Sequence, residues 1–177
     1  RGSGRSGQFT CLRPGPEIEE RSAVCILPGG EIEFRFRIGL PARGRRILAE
    51  AAWQMLSEDL NGVVESIQGS RGIERHIASV RRQRAMREQL AEHGLIAFLE
   101  NGSVLPRKSG VESEPLSGAV PLRAPESLTI QLTHEGETIH GLGIRAGVTV
   151  IVGGGFHGKS TLLNAIQRGH LDHIPGD

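Results

Sequence analysis

The chain has 177 residues, 37% of them hydrophobic, enough to bury a core in one domain or in two small ones. Its 21 basic and 20 acidic side chains leave a formal net charge of +1, so bulk charge selects no partner. With 5 Phe, 1 Trp and no Tyr, the composition counts against sugar-stacking sites and base-stacking sheets. The 2 cysteines, Cys11 and Cys25, cannot close a tetrahedral metal site alone. No apolar run is long enough to span a bilayer, and no apolar leader opens the chain, so the cytoplasm is the expected location. The first residue is Arg rather than Met, so the N-terminus is expected to be cut or processed. Two biases stand out: 25 glycines that follow no repeat, and basic residues that are nearly all Arg, with Lys only at Lys108 and Lys159.

In chain order, the glycine-rich start predicts no helix or packed strand of its own. The runs Ala23–Leu27 and Glu31–Ile38, joined by Pro28-Gly29-Gly30, predict a hairpin. In the second run, Ile32, Phe34, Phe36 and Ile38 share the buried face. Pro41 is placed to open a helix, and apolar residues from Ile47 to Ile67 recur at three- and four-residue spacing as one buried stripe. Trp53 reads as core beside Met55 and Leu56. A second helix is expected from Ile73 to His93 with Gly94 behind it, then a short hairpin from Leu95 to Leu105 around Asn101-Gly102. Residues 106–127, rich in Pro and Ser, read as a linker between an α+β region, 1–105, and a second domain, 128–177. There, Leu128–Thr133 and Thr138–Ile144 predict an antiparallel pair, Val148–Val152 a strand buried on both faces, and Lys159–Arg168 a helix stopped by Gly169.

The sharpest signal lies between that apolar run and that helix. Gly153-Gly154-Gly155-Phe156-His157-Gly158-Lys159-Ser160 fits G-x-x-x-x-G-K-[ST], the spacing of a phosphate loop. Glycines let backbone N–H groups turn inward around a phosphate, and the helix adds the unpaired N–H groups and positive dipole end of its first turn. In this reading Lys159 reaches the β- and γ-phosphates and the Ser160 hydroxyl ligates Mg²⁺, with Thr161 completing the motif and ATP as the expected nucleotide. Phe156 occupies a position where a left-handed conformation is common. With His157 it reads either as the surface tip of the loop or as a contact beside the nucleotide.

The antiparallel pair leading into the apolar strand resembles the start of ABC-type ATPase domains. The run Gly141–Leu163 with His173-Ile174-Pro175-Gly176-Asp177 resembles the family of predicted ATPases of the ABC class. The stretches Gly4–Gly7, Gly39–Arg46, Leu105–Gly110 and Ala124–Leu128 resemble it too. The resemblance implies an α+β N-terminal region followed by the start of an α/β P-loop (ABC-type) nucleotide-binding domain. It further implies ATP hydrolysis in a longer protein and association through the ATPase core. The Walker B acid and the signature region of the family would follow Asp177, so the chain reads as an N-terminal-to-middle fragment, expected to bind nucleotide weakly and not to turn it over.

Weaker constellations remain open. Arg71, Arg75 and Arg82 lie on one helical face, read either as a contact for nucleic-acid phosphates or as a solvated face; Arg84 and Arg87 lie toward its apolar side. The segment Gly2–Gly7, with Arg1 and Arg5, reads either as an anion contact or as a free end. His170 and His173 near Asp172 are metal-like in type but lack helical zinc spacing. The alternatives to an ATPase are a nucleic-acid-binding module switched by nucleotide and, less well supported by the strand order, a P-loop small-molecule kinase.

Overall fold

A computed structural model of the chain describes residues 5–68 and 72–177. The first strands are β1 (Gln8–Thr10), β2 (Glu17–Ile18), β3 (Val24–Ile26), β4 (Ile32–Phe34), β5 (Arg37–Gly39), β6 (Ala42–Arg43) and β7 (Arg46–Ile47). Helices α1 (Ala49–Gln54), α2 (Leu60–Gln68) and α3 (Ile73–Leu90) follow, then β8 (Leu95–Glu100), β9 (Thr129–His134), β10 (Glu137–Arg145), α4 (Lys159–Arg168) and β11 (Asp172–His173). They gather into two compact units. One holds the described residues among 1–14 and 20–73, the other 15–19 and 74–177.

In the first unit the expected hairpin forms between β3 and β4, with Val24 opposite Phe34 and Ile26 opposite Ile32. The alternating run does not stay one strand. It breaks at Arg35-Phe36, and β5 pairs antiparallel with β1, which begins at the end of the glycine-rich start, at Gln8. The break coincides with a ring cluster: Phe36 lies 5.7 Å from Phe34 and 5.8 Å from Phe9, while Ile32 is left exposed. Pro41 does not open a helix. A small β6–β7 hairpin intervenes, closed by the Leu48 N–H donating to the Pro41 carbonyl at 2.8 Å. Helix α1 then runs through a π-helical turn, Met55–Asp59, into α2. The stripe is narrower than its spacing predicts, since Ala52 and Met55 are buried but Leu56, Val64 and Ile67 are exposed. Trp53 is no core residue: it is 71% exposed, because it sits about 100° around the helix from Ala52.

The second unit is built on a three-stranded antiparallel sheet of order β8-β10-β9. The β9–β10 hairpin is as expected, and its turn residues Glu135 and Gly136 both have positive φ, 49° and 83°, as a tight primed turn requires. Leu132 and Ile139, directly opposed, are buried. Strand β8 does not fold back on Val104-Leu105. It pairs with β10, because Leu99 then joins Leu142 and Ile144 in the main apolar cluster. A Cβ at Gly143 would come 2.4 Å from the Ile130 side chain, so glycine at that position gives Ile130 its room.

Residues 106–127 lie within this unit, and the division between the compact units falls at 73/74. The Leu116 N–H donates to the Pro106 carbonyl at 2.8 Å, and the Leu122 N–H to the Ser103 carbonyl at 2.8 Å. The Asn101 side-chain carbonyl accepts the Ala124 N–H at 2.7 Å, which seats Ala124 in the cluster with Leu99, Leu142 and Ile144. The apolar run after β10 differs from its expectation. Val148, Val150 and Val152 are 97%, 76% and 83% exposed, and the run joins no strand ladder. A doubly buried strand needs neighbours on both sides, and β10 is already flanked by β8 and β9.

Helix α4 is fixed at its middle and just past its end. Leu162, Ala165 and Ile166 pack against the Leu99–Ala124–Leu142–Ile144 cluster. Beyond its C-terminus, buried Asp172 is gripped from α3: Arg84 Nε donates to Oδ2 at 2.9 Å and Arg87 Nη1 to Oδ1 at 2.6 Å. Arg87 also donates to the carbonyls of Gly169 and Leu171. Gln83 brackets the next residue, donating to the His173 carbonyl and accepting its N–H, both at 2.9 Å. The arginines on the apolar side of α3 therefore hold the chain that follows α4.

Burial disfavours the Asp172 carboxylate, but the hydrogen bonds and charges of Arg87 and Arg84 outweigh it and hold the carboxyl below its ordinary value of 3.8. A lowered carboxyl contributes stability that is complete above its unfolded-state value and is lost as pH falls through the folded one. Asp172→Asn is expected to lower stability by about 2–3 kcal/mol at pH 7, less than a fully buried pair because the arginines are partly solvated. The gap between variant and parent narrows as pH falls from the ordinary value of 3.8 through the lowered folded-state one, as denaturant midpoints measured across pH will read.

Candidate phosphate-binding loop

Residues 153–158 connect the exposed apolar run to α4, and the motif fixes their local geometry. Gly158 occupies the N-cap position with φ 78°, a left-handed conformation that glycine adopts at no steric cost. Its carbonyl accepts the first helical bond, from the Leu162 N–H at 2.9 Å. No side chain caps the helix, so the N–H groups of Lys159, Ser160 and Thr161 have no acceptor among the described residues. Unpaired N–H groups at the positive end of a helix are the donors from which anion sites are generally built, and α4 is ten residues long.

Within the loop, the Lys159 ammonium folds back and donates to the carbonyls of Gly153, at 2.7 Å, and Gly154. The Gly154 N–H donates to His157 Nδ1 at 3.2 Å, so that ring nitrogen is an acceptor and the imidazole sits against the glycine run. Nothing would stop a Cβ at Gly155, whereas one at Gly154 would press on the His157 ring at 3.1 Å. Phe156 takes φ 60° and its side chain is fully exposed. The loop thus places Lys159 and His157 inward and Phe156 outward. Ser160 is exposed with no hydrogen-bond partner for its hydroxyl among the described residues, while half-buried Thr161 faces a cavity shared with residues 105–113.

The other sequence constellations are placed as follows. Arg82 donates to Glu100 at 2.8 Å, Arg75 is exposed, and Arg71 lies outside the described residues. His173 Nδ1 lies 2.6 Å from Asp177, and His170 Nδ1 lies 2.7 Å from the Gln167 carbonyl. No group of three metal-ligating side chains converges among the described residues. Asp177 is shared between His173 and Arg107, which joins the segments Leu105–Gly110 and His173–Asp177 in space. That junction was not legible from spacing, because the partners lie 70 residues apart.

The comparisons with known proteins follow the two parts of the chain. Residues 69–177 match the P-loop domain of the ABC-class ATPases, and residues 1–69 match the N-terminal domain described as ATPase of the ABC class. An uncharacterized protein of Methanocaldococcus jannaschii is 36% identical over 105 residues, covering 54% of this chain. The matched part spans 23% of that relative's length. No helix among the described residues is long and apolar enough to cross a membrane.

Phe156 carries a left-handed conformation that costs a non-glycine residue roughly 1–2 kcal/mol, and its exposed ring recovers nothing by burial. Phe156→Gly is expected to raise stability by about 0.5–1 kcal/mol after the greater freedom of glycine in the unfolded chain is subtracted. Chemical denaturation reads that gain, and a loss of similar size would assign the ring a packing role.

Proposed function

This chain belongs to the ATPases of the ABC class, and from that premise we propose that residues 153–161 are its ATP-binding loop. The observation that carries the proposal is the pairing of three acceptor-free N–H groups at the start of α4 with a lysine ammonium bonded only to loop carbonyls. The N–H groups of Lys159, Ser160 and Thr161 would donate to phosphate oxygens, with the helix dipole adding to the attraction. The Lys159 ammonium leaves the Gly153 and Gly154 carbonyls for the β- and γ-phosphates, exchanging neutral acceptors for charged ones. His157 returns the Gly154 N–H to the cradle when its ring swings aside. Gly155 and Gly158 keep the backbone open for close approach.

Mg²⁺ fits this donor set. It binds proteins through one or two oxygen groups and otherwise through water and nucleotide phosphates, and the unpartnered Ser160 hydroxyl supplies one such oxygen. When bound with nucleotide, the ion neutralises phosphate charge.

Hydrolysis is assigned to the complete protein. Asp172 and Asp177, the acids nearest in sequence after α4, are committed to Arg84 and Arg87 and to Arg107, which suits them to hold α4 rather than to orient water. Residues 153–161 would thus bind and orient the triphosphate.

Replacing the ammonium tests the reading. In the complete protein, Lys159→Ala should weaken MgATP binding at least tenfold, roughly the worth of a charge-assisted contact to phosphate, with the fold retained. Calorimetric titration gives the affinity, and an unchanged value contradicts the assignment.

A further inference from the structure

The first unit carries a cleft of about 640 Å³ that the ATP-binding reading does not use. Four of the residues lining it are arginines, Arg5, Arg21, Arg35 and Arg37, and no Asp or Glu lines it. Arg35 is ion-paired with Glu33, whereas Arg5 and Arg37 have no acidic partner among the described residues. The volume lies within the range that holds a nucleotide-sized ligand.

The fold holds the two unpaired arginines at the cleft deliberately close to its strands. Arg37 stands on β5 directly opposite Thr10 of β1, and Thr10 also lines the cleft. Arg5 is brought in by a turn whose closure depends on one glycine. The Gly7 N–H donates to the Gly39 carbonyl at 2.7 Å, and the Gln8 N–H to the Arg5 carbonyl at 3.2 Å. The Ser6 hydroxyl accepts the Ala42 N–H at 2.9 Å. A Cβ at Gly39 would lie 1.8 Å from the Arg5 carbonyl oxygen, so only glycine at that position lets the Arg5 backbone lie against β5. Gly39 thereby acquires a positioning role.

Guanidinium groups present planar, permanently charged donor forks that match phosphate oxygens, and several of them around one cleft without an acid disfavour any cationic or neutral occupant. We propose that this cleft binds a condensed phosphate, either free or as the phosphate chain of a nucleotide, through Arg5 and Arg37. The site is separate from the loop at α4, and the proposal does not rest on the reading of that loop.

The test uses the complete chain carrying Lys159→Ala, which is expected to weaken the other phosphate site. Inorganic tripolyphosphate and ATP are titrated separately by calorimetry, with and without Arg5→Ala and Arg37→Ala together. The expected result is binding in the Lys159→Ala chain that weakens at least about tenfold when both arginines are removed. Equal affinity for the two ligands identifies free condensed phosphate as sufficient, and tighter ATP binding identifies the nucleotide as the source; both support the site. Absence of binding in the Lys159→Ala chain, or binding indifferent to the two arginines, overturns it. A measurement without cleft mutations guards against misfolding. Tripolyphosphate should slow phenylglyoxal modification of Arg5 and Arg37, read by mass spectrometry, while exposed Arg13 and Arg43 outside the cleft react at the same rate. Equal protection of all four, or of none, likewise overturns the proposal.

Discussion

The grip of α3 on the chain beyond α4 is the constraint from which the rest of the second unit follows. Arg84 and Arg87 surround one buried carboxylate, Asp172, and Arg87 also takes the carbonyls of Gly169 and Leu171, just past the end of α4. Gln83 secures the backbone one residue further on. Leu162, Ala165 and Ile166 meanwhile lie on the sheet cluster. A helix held at its middle and past its end has a fixed N-terminus, and the loop at that terminus inherits its position. The cost of desolvating Asp172 is offset by two guanidinium partners, an arrangement that fixes geometry more than it adds stability.

The loop itself satisfies its own strongest donor. The Lys159 ammonium on the Gly153 and Gly154 carbonyls and the His157 ring on the Gly154 N–H form an internally bonded state. Each of these bonds has a better partner in a phosphate oxygen, because ionised acceptors make shorter and stronger hydrogen bonds than neutral ones. The N–H groups of the first turn of α4, by contrast, have no internal alternative. This division between donors that must be exchanged and donors that stand ready is what a reversible phosphate site requires.

Features with local causes were legible in the sequence. The β3–β4 and β9–β10 hairpins follow from their turn residues, α4 from its apolar spacing and Gly169, and α3 from its period to within a few residues. Features decided by distant partners were not. Strand β8 pairs with β10 across the 36 residues 101–136 rather than with its own neighbour, and the Pro-rich stretch 106–127 returns to the sheet through Asn101 and Ala124. Trp53 fell on the wrong side of a stripe that only Ala52 and Met55 bury, and the Val148–Val152 run has the composition of a core strand without adjacent strands to bury it. In the candidate site, the motif sets the bounds of the proposed loop, residues 153–161. The Lys159 and His157 contacts and the strained φ of Phe156 needed coordinates, since spacing carries no information on which carbonyl a flexible ammonium chooses.

The central claim is that the start of α4 receives phosphate while the clamp beyond its end stays unchanged. Amide-resolved nuclear magnetic resonance during MgATP titration of the chain tests it most directly. Within the second unit, the account predicts shifts concentrated at Gly153 to Thr161, with the Asp172 and His173 amides and the Arg84 and Arg87 side-chain signals unmoved. Shifts centred on the clamp, or none at the loop at saturating nucleotide, would contradict it.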